Sequence, residues 1–305
     1  LVQFVVPDFF GNQTTLNYWG VWNYGEFIGY VGILPLLMAL FALLARRDKK
    51  TTFFGTMLIL SLVFALPTVL AKIPYQFNIP FISTAQPTRL LFLTDLSLAI
   101  LAALGFDWFL KNRKNVWYSV MLIAAILAGL WLFVFLGNNV ASVENLEVAN
   151  RNLRLPTILL VVSMLTFVAF QFLPKSRNVS LILCCTLVLL TAFDLIRFGW
   201  KFTPFTNGEY LFPQTKVIEF LQKQEGQFRI MTTDDRILPP NFSTIYRLQT
   251  IDGYDPLYLL RYGELIAASE RGEPNISPPF GFNRIITPKN YESKIIDLLG
   301  VKYIL

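Results

Sequence analysis

The sequence predicts a polytopic α-helical membrane protein with about six crossings that ends in a small α/β domain outside the bilayer. Three observations carry that prediction. The 305 residues are 54% hydrophobic and only 15% charged, where a soluble domain carries about 25% charged residues. Apolar runs recur at the length of a bilayer crossing, roughly 20 residues. The composition then changes near Gly199. Residues 199–305 hold 12 Lys+Arg and 12 Asp+Glu, net zero, so the other 14 and 8 give the whole +6 (14 − 8) to residues 1–198.

The predicted crossings are Phe27–Ala45, Phe53–Ala71, Leu90–Leu110, Val116–Gly137, Pro156–Leu173 and Val179–Phe198. Alternate loops between them are short and basic: Arg46, Arg47, Lys49 and Lys50; Lys111, Arg113 and Lys114; Lys175 and Arg177. Positive loops stay in the cytoplasm. Residues 1–26, 72–89, 138–155 and everything after 198 are therefore expected outside. This gives three regions: an aromatic loop (1–26), a transmembrane domain (27–198) and an α/β domain (199–305). The chain opens on "LVQFVVPDFFGN", with neither methionine nor a signal-peptide pattern, so it reads as a fragment lacking its N-terminal part.

In the tail, "PQTKVIEFLQKQ" repeats apolar residues at helical spacing, with Val217, Ile218 and Leu221 on one side. "QFRIMTT" alternates like a strand. "YDPLYLLRYGELIAASERG" predicts a helix with Asp255 as N-cap, Pro256 at its first position and Gly272 as its stop. "NYESKIIDLLGVKYIL" reads as helix, glycine, strand.

Several chemistries are excluded within these residues. There is no histidine, which removes Ser-His-Asp and Cys-His nucleophiles and His-ligated zinc. Cys184 and Cys185 are adjacent in an apolar run and read as small packing residues. The basic clusters form no face on a folded domain, as nucleic-acid binding requires.

The candidate site residues lie in the non-cytoplasmic loops. The first loop combines Asp8 and Glu26 with Tyr18, Trp19, Trp22 and other rings. Such rings can form an interfacial aromatic belt, or stack on a sugar while the carboxylates bind its hydroxyls. Arg89 stands at the mouth of the third crossing, after the proline-marked loop "YQFNIPFISTAQPTR". A cation beside a helix N-terminus favours a phosphate. Asp95 lies roughly 9 Å deeper and, six positions on, is expected on another face. An ionisable group there faces a bundle interior or a wet cavity. Asp194 and Arg197 are spaced to pair with each other, Asp107 reads as a solvated helix end, and Glu144 to Arg154 as a solvated amphipathic stretch.

Three stretches together resemble the bacterial YfhO-like membrane protein family: residues 7–40, "QPTRLLFLTDLSLAILAALGFD" (86–107) and "IDGYDPLYLLRYGELI…LLGVKYIL" (251–305). The resemblance covers essentially the whole chain. It implies a glycosyltransferase of the C-type membrane fold, taking a sugar from a polyprenyl-phosphate carrier and passing it to a cell-envelope glycan or lipid acceptor outside the cytoplasm. It also implies a catalytic acid in an outer loop upstream of this fragment, so no residue here is assigned as catalytic. Arg89 suits the departing phosphate. Asp8, Tyr18, Trp19, Trp22 and Glu26 suit the acceptor or sugar, with a divalent metal an open alternative. The competing readings are a lipid-carrier flippase or transporter, and a non-catalytic envelope-assembly protein.

Overall fold

The computed structural model describes residues 1–305 apart from 22, 81, 113–115, 175, 204, 235, 278–280 and 283. Trp22, Arg113, Lys114 and Lys175 of the sequence reading fall outside the described residues. The chain divides into two compact units, Leu1–Pro204 and Phe205–Leu305.

The first unit is a helical bundle: α1 (Ile33–Ala45), α2 (Lys49–Ala65), the short α3 (Ile73–Gln76), α4 (Leu91–Lys111), α5 (Trp117–Leu136), α6 (Val143–Phe172) and α7 (Arg177–Trp200). Among the described residues, four helical stretches are long and apolar enough to cross a bilayer: Pro87–Lys111, Trp117–Asn139, Val143–Phe172 and Arg177–Trp200. A fifth arises if Lys49–Ala65 and Leu70–Gln76, bent by 68°, count as one span. The bend follows Leu66, which is extended before Pro67, as a residue preceding proline must be to avoid its ring.

The first predicted crossing, Phe27–Ala45, differs most from expectation. Its helix has only 13 residues, about 20 Å of the roughly 30 Å hydrocarbon thickness. The backbone before it is broken at Gly32, whose φ of +94° suits glycine. A Cβ there would also meet Pro35 Cδ at 3.2 Å and Asp194 Oδ2 at 3.3 Å.

α1 packs mainly against α4 and runs parallel to it. Gly29 lies beside Asp95, Met38 beside Gly105, and Arg46 beside Leu104 and Asp107. A Cβ on Gly105 would sit 1.9 Å from the Met38 carbonyl oxygen, so only glycine lets the two backbones approach so closely. α2 returns antiparallel, with Ser61 and Thr94 sharing a buried 2.8 Å hydrogen bond. The core runs through all the long helices, with Phe41, Phe109 and Phe167 fully buried.

Asp107 is more engaged than expected, pairing with Arg46 at 3.1 Å and with Lys111 one turn on. Asp48 caps α2, accepting from Thr51 N–H at 2.8 Å. That bond and the Arg46 guanidinium beside it hold its carboxyl down at about 2. The stretch from Glu144 to Arg154 is the first part of α6, which Ser142 caps, and Pro156 lies inside that helix.

The second unit holds α8 (Lys216–Gln222), β1 (Arg229–Met231), β2 (Gly253–Tyr254), α9 (Leu260–Arg271), β3 (Ile285–Ile286), α10 (Lys294–Leu298) and β4 (Val301–Ile304). β1 pairs parallel with β4, and β2 antiparallel with β3. Ile218 and Leu221 are buried, but Val217 is exposed. α9 starts at Leu260 rather than Pro256, because Asp255 Oδ1 accepts from Leu257 N–H in a local turn and caps no helix. Gly272, at φ +81°, ends α9 as expected. The helix–glycine–strand ending is also present, with Gly300 between α10 and β4.

Candidate functional site

A cavity of about 830 Å³ forms a groove beside the start of α4. Its polar end presents Arg89, Glu26, Asp95 and Thr88; its remaining wall includes Ile28, Val31, Pro35, Leu96, Ala99 and Leu195. A second, strongly apolar cavity of about 330 Å³ shares Pro35, Ala102 and Thr191 with it and continues to Phe106. Along α4 the residues lining these two neighbouring cavities, from Arg89 to Phe106, span about 25 Å. This track has a charged head and an apolar tail.

Arg89 and Asp95 were expected on different faces, yet both line this groove. The reason is local. Pro87–Leu90 forms a 3₁₀ turn ahead of α4, and its tighter winding advances Arg89 toward Asp95. The two are separated by about 80° rather than about 120° around the axis.

The head of the groove holds unmet polar demand. Asp95 Oδ1 and Thr88 Oγ1 are buried with no hydrogen-bond partner among the described residues, and Thr88 is only 9% exposed. Arg89 and Glu26 make no ion pair among the described residues. Buried polar groups are normally satisfied. Two of the four such side-chain atoms among the described residues line this cavity; the others, Trp19 Nε1 and Thr51 Oγ1, lie elsewhere.

The other residues expected to bind the acceptor or sugar do not join Glu26. Asp8 faces a separate cavity of about 170 Å³ and is held by Lys201 Nζ and by Tyr24 OH at 2.7 Å. Burial, and then the Asp8 carboxylate, push the Tyr24 hydroxyl well above the usual tyrosine range, which keeps it a donor. Trp19 packs against Phe9 and Phe10, and Tyr18 stacks edge-on against Tyr24 while donating to Val21 O. Trp19 and Tyr18 therefore build the loop. Trp22 is not described.

Asp194 does not pair with Arg197. It is 3% exposed, accepts from Tyr30 OH at 2.8 Å and receives Ile33 N–H at 3.0 Å. It therefore caps the N-terminus of α1 from α7, where a carboxylate also meets the positive end of the helix dipole. Sequence reasoning missed Tyr30, and also Lys201, which lies 193 positions from its partner Asp8.

Comparison with known proteins returns no matching family model, no matching curated protein and no matching solved structure. The site is therefore read from its own chemistry. Glu26 and Asp95 are the two carboxylates at the groove, and among the described residues no group of three metal-donor side chains forms. The residues present do not make a metal centre, and no step is derived through one.

Proposed function

We propose that this chain is the carrier-binding part of a membrane glycosyltransferase, which moves a sugar from a polyprenyl-phosphate carrier to a cell-envelope acceptor. The observation that supports this most is the pair of neighbouring cavities: a cation and two carboxylates at one end, and about 16 Å of largely apolar wall from Asp95 to Phe106 behind them. A phosphate linked to a long hydrocarbon tail has the same polarity along its length. In transfer, the acceptor hydroxyl oxygen bonds to the anomeric carbon as the bond from that carbon to the phosphate oxygen breaks. The phosphate leaves with the electron pair, and Arg89 meets its charge. Glu26 and Asp95 hold hydroxyls of the sugar. The acceptor's proton goes to a carboxylate base.

The same reading puts the groove head on the outer face of the cytoplasmic membrane. The basic residues at Arg46–Lys50 and Lys111 lie at the opposite end of α1 and α4, where positive charge remains inside. Six crossings follow if residues 27–45 cross as an irregular stretch plus α1, and if the bent pair counts as one. Irregular backbone at membrane depth is tolerated where protein buries it. A cysteine at Asn112 is then shielded from impermeant reagents in intact cells, and labelling there would overturn the orientation.

The test is sugar transfer from a short-chain polyprenyl-phosphate sugar by the full-length gene product in detergent. Arg89→Ala is expected to lose donor affinity and rate together. An active wild type whose Arg89→Ala variant keeps both would remove the assignment. The unpartnered Asp95 also suits a second reading, a carrier flippase, since groove-facing intramembrane carboxylates mark translocation pathways. A flippase moves the labelled carrier across sealed vesicles without transferring sugar.

A further inference from the structure

Tyr30 also lines a small, partly open cavity of about 170 Å³, walled by Asp8, Arg151, Asn152, Asp194, Arg197 and their apolar neighbours. Four separate parts of the chain converge there: the N-terminal segment, the residues before α1, the first half of α6 and the end of α7. By count its charged walls balance, two arginines against two aspartates. By engagement they do not.

Both acids already have their donors. Asp8 is bound by Lys201 and Tyr24, and its carbonyl oxygen receives Asn152 Nδ2 at 2.6 Å. Asp194 is bound by Tyr30 and by Ile33 N–H. The two arginines have no counter-ion among the described residues. Arg197 is close enough to Asp194 and Tyr30 to act on both electrostatically. With Lys201 included, the local balance is +1 (three cations, two anions).

We infer that this cavity is a second anion site, in which Arg151 and Arg197 together take one phosphate-class group, either a soluble phosphate ester or a lipid phosphate headgroup. Guanidinium groups suit that role because each presents a planar fork of N–H donors to an oxyanion. The cavity accommodates a single tetrahedral anion with part of its ester and excludes a long chain. Asn152 lines the same space, and its Nδ2 keeps a second hydrogen, beyond the one given to Asp8 O, for an ester oxygen. Tyr30 lines both cavities, so an anion held here lies one side chain away from the groove head. The two arginines line this cavity and not the groove. The failure of this site and the failure of the transferase reading are therefore separable.

The test uses the whole chain in detergent in an Arg89→Gln background, so that a response at the groove head does not contribute. Thermal melts are followed against inorganic phosphate, glycerol 1-phosphate and dihexanoyl phosphatidic acid at constant ionic strength. The expected result is a saturable rise in Tm that needs at least tenfold more probe in the Arg151→Gln/Arg197→Gln double variant. Both arginines are solvent-exposed and make no ion pair among the described residues, so without probe this variant is expected to melt where its parent does. Arg151→Lys/Arg197→Lys, which keeps the charge and loses the forks, is expected to fall between the two. A response to the soluble probes identifies a soluble ester as the source, and a response to the lipid analogue alone identifies a headgroup. A response that the double variant keeps, or no response to any probe, overturns the site.

Discussion

Two aspartates flank the start of α1, and their surroundings are opposite. Asp194, on α7, is satisfied: Tyr30 OH reaches both its oxygens and Ile33 N–H reaches one. Asp95, on α4, has a buried oxygen with no hydrogen-bond partner among the described residues. Both are carboxylates in apolar helices, and from sequence either one qualifies as an intramembrane functional acid. Their partners separate them. Where the chain supplies every hydrogen bond, the carboxylate holds the fold. Where it leaves an oxygen without one beside a cavity, the proposed role is to meet a ligand.

That contrast predicts different consequences for the two positions. The largest effect on folding is expected from Asp194→Ala. It leaves the Tyr30 hydroxyl and the Ile33 N–H buried without an acceptor, at a cost of about 3 kcal/mol, read as a lower Tm. A variant that melts like wild type would erase the distinction.

Arg89→Ala is expected to lower donor affinity on the order of 10- to 100-fold, the worth of a charge-assisted contact, while the Tm stays put because Arg89 has no ion pair to lose. Asp95→Asn comes next. Transfer falls on the order of 10-fold, yet the Tm holds or rises slightly, since a desolvated charge is removed and no native bond is broken. A Tm loss in Asp95→Asn as large as that of Asp194→Ala would show that the two sites are alike after all.

The smallest effect belongs to Asp48 at the other end of the bundle. Its folded pKa, about 2, lies below the ordinary 3.8. Its contribution is therefore complete above about pH 4 and disappears as pH falls through 2, and Asp48→Ala should flatten only that acid limb of a stability profile.

The long helices were legible because composition and hydropathy are local properties, and four of them appear where apolar runs predict. α1 was misjudged for an equally local reason. Gly32 adopts a positive φ within an apolar run, and hydropathy is blind to backbone dihedrals. Of the site, Arg89, Glu26 and Asp95 were all visible as isolated charges near apolar helices. That they share one groove was not, because it depends on a 3₁₀ turn at Pro87–Leu90 and on α1 lying parallel to α4. The bonds from Tyr30 to Asp194 and from Lys201 to Asp8 span 164 and 193 positions, and no sequence pattern announces such pairs.

The most direct test of the groove is donor binding itself, measured with a short-chain polyprenyl-phosphate sugar and the purified protein in detergent. Wild type is expected to bind saturably, Arg89→Ala on the order of 10- to 100-fold more weakly, and Arg151→Gln like wild type. Equal donor affinity in wild type and Arg89→Ala would contradict the account.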